Sequence, residues 1–214
     1  MDEEVTIIDT NTRNEKIKNF FIDNKKNIII GFSIILVSII AYLSMKEIRE
    51  QKKIKLANHF NIATINFKTK DKQTTIDQLK KLINENDATY SPLALYFLID
   101  NSLVDNKNEI NKLFDKLINE IKLDKEIKNL IIYKKALFNS NHSNENDLLQ
   151  ILKPIINSES IWKSHSMYLM AEYFYSNNEK QKAKEFFNQI LLLPDINSDI
   201  RLESQKRINR DFSE

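Results

Sequence analysis

Between residues 28 and 45 the chain reads IIIGFSIILVSIIAYLSM without a single charge, bracketed by Lys25-Lys26 on one side and Lys46 on the other. Its apolar positions run all round a helix instead of forming one stripe, the pattern of a lipid-facing or fully buried helix. At ~1.5 Å per residue the run reaches ~27 Å, close to the hydrocarbon thickness of a bilayer. Eleven of its residues are Ile, Leu, Val or Phe, each favouring insertion by roughly 0.3 to 0.6 kcal/mol at a helix centre. Ile28, Ile34, Ile35, Leu36, Ile39 and Ile40 form the body of this predicted anchor, with Tyr42 at the level of an aromatic belt. The flank Tyr42-Leu43-Ser44-Met45 lacks the small-x-small pattern of a signal-peptide cleavage site, and a polar tail precedes the run. The pattern therefore predicts an uncleaved single span.

Elsewhere the apolar residues recur at helical spacing. Residues 13–21 place Ile17, Phe20 and Phe21 on one side, suiting a helix at the membrane surface. After the span, Ile48, Leu56, Phe60, Ala63 and Phe67 predict a helix, and Ile76, Leu79, Leu82 and Ile83 predict a second beyond a polar break at residues 70–72. Farther on, Leu113, Leu148 and Ala183 stand 35 residues apart, with Phe97, Ile132 and Met167 sixteen residues upstream and Leu117, Leu152 and Phe187 four downstream. Polar turns at residues 105–108, 139–146 and 176–179 separate the helices of each unit. A helix–turn–helix period near 34 residues is the signature of tetratricopeptide (TPR) repeats, whose hairpins bury their apolar faces against one another. Ala136 and Ala171 occupy the small position of the first helix, Ala183 that of the second, Phe174 and Phe187 the aromatic positions, and Pro194 follows as terminator; the first unit departs with Asn101. The expected fold is all-α. A polar tail (1–27) and a transmembrane helix (28–45) lead to a membrane-proximal hairpin (46–90), three TPR-like units (91–196) and a C-terminal capping helix (197–214).

Composition narrows the chemistry. Of 32 basic and 30 acidic residues, 27 and 24 follow residue 45, a net +3 that is too even for a nucleic-acid face. Cysteine is absent, so no disulfide or thiolate metal site is available. Gly31, inside the apolar run, is the sole glycine. Phosphate-cradling loops, dinucleotide turns and nucleophile elbows, which all need glycine, are therefore excluded from the remainder. Pro92, Pro154 and Pro194 are the only proline breakers, and asparagine is left to fill the left-handed helix ends that glycine usually takes. Five basic residues precede the span (Arg13, Lys16, Lys18, Lys25, Lys26) and five follow it (Lys46, Arg49, Lys52, Lys53, Lys55), so charge does not decide the orientation.

Several stretches resemble a bacterial family, the single-span, TPR-bearing ancillary subunits of the SecYEG translocon, whose domain is shared with a periplasmic cell-division coordinator. The likeness lies in the acidic opening Asp2-Glu3-Glu4-Val5, in Arg13-Asn14-Glu15 leading to Phe20-Phe21 and Lys25-Lys26, in Ala88-Thr89-Tyr90 followed by Leu93-Ala94, and in Trp162 with Leu169-Met170-Ala171-Glu172. Asn178 stands where that family has a turn glycine. The resemblance implies a bacterial inner-membrane protein with a cytoplasmic N-terminus and a periplasmic domain. It also implies protein partners: the SecYEG translocon, a periplasmic chaperone or a secreted client.

Candidate sites follow from the repeats. His59, His142 and His165 lack partners at metal-ligand spacing, and the acids Asp115, Glu120 and Asp124 lie among lysines as a solvated face. No nucleophile–base arrangement is recognisable, so neither catalysis nor a metal or cofactor is expected, nor a small-molecule substrate. The first helix of each unit would line a groove through Leu98, Tyr133 and Tyr168, then Ser102, Leu137 and Glu172, then Asp105, Ser140 and Tyr175. Tyr133, Leu137, Tyr168, Glu172 and Tyr175 are the partner-binding candidates. Rings there suit apolar or extended peptide, while the absence of Lys and Asn from the first two rows argues against a carboxylate clamp. A cytoplasm-facing receptor or assembly factor is the alternative reading, left open by the balanced flanks.

Overall fold

The computed structural model describes residues 2–67 and 71–212, which form ten helices and no strand. The expected break around Lys70 lies outside the described residues, as do the side chains of the acidic opening. The chain divides into two compact units, Met1–Lys55 and Leu56–Glu214.

The first unit contains α1 (Asp2–Asp23) and most of α2 (Lys25–Asn66). α1 exposes Ile17, Phe20, Phe21 and Ile22. α2 is long and apolar enough to cross a membrane, and its apolar stretch buries nothing within the chain. From residue 28 to residue 45 every side chain is exposed, Leu36 and Val37 by 51% and 64%. A Cβ built on Gly31 meets nothing within 4 Å. Two hydroxyls of the stretch are satisfied locally: Ser33 and Ser38 donate to the carbonyls of Ile29 and Ile34, both at 2.8 Å. That is what a helix without water around it requires.

The second unit begins within α2, whose Leu56 and Ala63 are buried, and continues through α3 (Lys72–Asn84), α4 (Tyr90–Asp100), α5 (Lys107–Glu120), α6 (Lys125–Asn139), α7 (Glu145–Ile156), α8 (Lys163–Ser176), α9 (Lys180–Leu191) and α10 (Ser198–Asp211). From α3 onward each helix packs on the next in sequence, and α8 also meets α6 and α10. The end of α2 joins the same core. Phe60 meets Tyr90 and Phe97 at 6.3 Å, and Phe67 meets Phe97 edge-on at 5.6 Å.

Equivalent positions recur through this unit. Ala63, Leu98, Ala136 and Ala171 are fully buried in α2, α4, α6 and α8. Leu79, Phe114, Leu152 and Phe187 are their counterparts in α3, α5, α7 and α9. The residues that precede those second helices, Asp71, Asn106, Asn144 and Glu179, repeat at the same intervals. Asp71 and Asn144 each accept one backbone N–H and Asn106 accepts two, which satisfies donors that a helix start leaves free.

These intervals are 35, 38 and 35 residues, so the expected uniform 35 fails between α4–α5 and α6–α7. Three extra residues lengthen the end of α5 and the start of α6. Phe97 and Leu113, expected as core of the first unit, are accordingly only half-buried, as is Asn101, the departure from the small position; Ala94, Leu98 and Ile110 fill those places. The hairpin at 46–90 is also not separate, since its buried residues belong to the same cluster as those of α4 and α5. α6 joins that cluster to the next, with Ile131 in one and its neighbour Ile132 in the other.

Turns manage without glycine. Asn86, Ser102 and Asn178 adopt φ of 53°, 48° and 63° after α3, α4 and α8. Beyond two of them the chain closes back on the helix: Leu103 N–H donates to Leu98 O and Glu179 N–H to Phe174 O, both at 2.9 Å. Pro92 and Pro154 do not break helices as expected. Pro92 sits in the first turn of α4, where no intrahelical N–H is needed, and Pro154 sits in the last turn of α7.

Candidate protein-binding surface

Spacings of four and seven residues put Tyr133 and Leu137 on one face of α6, and Tyr168, Glu172 and Tyr175 on one face of α8. Their surroundings differ. Leu137 is 44% exposed. Tyr133 is half-buried, stacked on Trp162 at 5.8 Å and edge-on to His165 at 6.0 Å. Burial raises the pKa of the Tyr133 phenol. Burial likewise lowers the pKa of the His165 imidazole, against weaker raising effects of the Ile161 carbonyl and Asp199.

The α8 face is occupied by α10. Arg207 makes a two-pronged ion pair with Glu172, at 2.7 and 3.0 Å, and lies 4.0 Å above the Tyr175 ring. Asp211 binds the same guanidinium from the next turn. Phe212 packs on Tyr175 at 5.9 Å and on Phe187 at 6.1 Å. Tyr168 sits edge-on to Phe187 at 5.6 Å, and burial, with the Glu172 carboxylate beside it, pushes its phenol up to about 12. Ser204, fully buried, lets α10 come close because its side chain is small. Among the candidates, then, Tyr168, Glu172 and Tyr175 form one cluster with α10, while Leu137 is exposed and Tyr133 half-buried.

The first row changes with the corrected register. Leu98, expected in the groove, is core, and Leu95 and Ile99 are the true counterparts of Tyr133 and Leu137; Leu95 is fully buried and Ile99 half-buried. Two features had no sequence signal. One is the Arg207–Asp211–Phe212 set, whose charges looked like an ordinary solvated cap. The other is a cleft of about 380 Å³ lined by Glu126, Ile161, Lys163, Leu193 and Pro194 among others. At its rim Ser160 donates to Glu126 at 2.7 Å and accepts from Asn129 at 3.0 Å.

Asp115 and Glu120 pair separately, with Lys135 at 2.6 Å and with Lys116 at 3.0 Å. Among the described residues no group of three or more His, Asp or Glu comes together as metal ligands would. What the surface offers is shape, rings and a few charges. No protein-family model, curated protein or solved structure matches this chain.

Proposed function

We propose that this chain is a membrane-tethered, non-catalytic scaffold of TPR type that holds a protein-binding surface beside the protein-export machinery. The observation that carries the repeat reading is the recurrence of Ala63, Leu98, Ala136 and Ala171, each without exposure, in step with the helix starts at Asp71, Asn106, Asn144 and Glu179. Hairpins that share one buried position pair by pair bury their faces only against their neighbours, as repeat proteins do. The tether reading rests on the exposed apolar stretch of α2. The resemblance to translocon ancillary subunits supplies the partner and a periplasmic domain. The balanced basic flanks also accommodate a cytoplasm-facing receptor.

Two measurements test this proposal. Full-length protein extracted in mild detergent is expected to co-purify with translocon core subunits, and Leu137→Glu to reduce that capture severalfold while the melting temperature holds. Absence of the translocon subunits from the wild-type eluate removes the partner. Protease added to spheroplasts is expected to digest the domain after the span; a fully protected domain reverses the orientation in favour of the cytoplasmic reading.

A further inference from the structure

Beyond Met45, α2 continues as helix through Lys46, Arg49, Lys52, Lys53 and Lys55. At about 100° per residue these five side chains fall on one half of the helix, and Glu47 and Glu50 fall on the other. All are exposed. Glu47 accepts from Gln51 at 2.9 Å, so its charge is engaged along its own side. Lys46, Arg49, Lys53 and Lys55 take part in no ion pair among the described residues, although two acids lie within the same turns. Glu47 lies well round the helix from the basic half, while Glu50 borders it, four residues after Lys46 and three before Lys53, yet forms no ion pair with either among the described residues.

We infer that this basic face is a binding surface for the headgroups of anionic phospholipids in the leaflet where the apolar stretch ends. The inference rests on α2 crossing the membrane as proposed above, and adds which lipid it selects. Position fits the occupant. The interfacial layer on each side of the hydrocarbon is ~5–8 Å deep, and Lys46 and Arg49 begin ~1.5 to 6 Å beyond Met45. Lys53 starts ~12 Å beyond, within reach of that layer if its flexible stem folds back along the helix. Three cations on one side at headgroup depth complement several lipid phosphates at once. Glu47, on the far side, repels them, and Glu50 marks the edge of the basic half.

The test uses the full-length chain in phosphatidylcholine vesicles containing a minor share of phosphatidylglycerol, with spin-labelled forms of each lipid reporting which contacts the protein. Phosphatidylglycerol is expected to be preferred at low salt and the preference to fade as salt rises. K46Q/R49Q/K53Q is expected to lose roughly two- to fivefold of it, the remainder coming from Lys25 and Lys26 at the other end of the run, while E47Q/E50Q loses none. An unchanged preference in K46Q/R49Q/K53Q, or equal contact of wild type with both lipids, overturns the headgroup site. Failure of wild type to enter vesicles of either composition overturns the span beneath it instead, so the two failures are distinguishable.

Discussion

Ser102 and Asn178 do work that glycine does elsewhere. Both sit just past a helix end at positive φ, 48° and 63°, and each is followed by an N–H that closes back onto the helix. Left-handed backbone costs an ordinary residue ~1–2 kcal/mol because Cβ crowds a carbonyl, and asparagine tolerates it better than serine. Glycine removes that crowding but loses more chain entropy on folding. Ser102→Gly is therefore expected to stabilise the detergent-solubilised protein by about 0.5–1 kcal/mol, and Asn178→Gly to be close to neutral. Denaturant midpoints decide this, and a destabilised Ser102→Gly would mean that the serine hydroxyl contributes more than its backbone costs. The absence of glycine after residue 31 pointed to asparagine at such turns, and Asn86 and Asn178 are there. Ser102 carried no such signal, since serine is as common in ordinary turns.

At the scale of elements, the helix pairs were legible because a buried face every 3.6 residues survives any error of register, whereas the register itself was not. Leu113 at 35 residues before Leu148 is as plausible on paper as Ile110 at 38, because an amphipathic helix offers an apolar residue every three or four positions. Only the neighbouring helices decide which of the two is core, and they choose Ile110. The same ambiguity put Leu98 in the groove. Its real position matches that of the three alanines, so it presents a larger side chain where Ala63, Ala136 and Ala171 allow close approach. Leu98→Ala is accordingly expected to leave a cavity costing ~2–5 kcal/mol, and Ala171→Leu to overpack its site at a cost of ~1–3 kcal/mol. If the two positions were not equivalent and Leu98 faced a groove, Leu98→Ala would shift thermal unfolding hardly at all. The α10 cluster was hidden for a different reason: Arg207 and Glu172 are far apart in sequence and each looks like a surface charge until the helices meet.

For the whole molecule the deciding quantity is whether the apolar stretch of α2 is stable outside water. Eleven large apolar residues contribute roughly −3 to −7 kcal/mol to insertion on the biological scale, and the hydroxyls of Ser33 and Ser38 are already bonded to their own backbone. Two lysines near the middle, Leu36→Lys with Val37→Lys, add about 5 to 7 kcal/mol, enough to cancel that preference, because a central charge must pull water or headgroups inward. The double variant is expected to leave the membrane fraction on carbonate washing, while Ser33→Ala with Ser38→Ala stays. Unfolding of the domain from Leu56 onward should be the same in both, since its buried residues all come from Leu56 onward and none from the apolar stretch. A double-lysine protein that remains in the membrane would mean that contacts elsewhere, with the exposed Phe20 and Phe21 of α1 the first to examine, hold it there, and the stretch from residue 28 to 45 would no longer be the anchor.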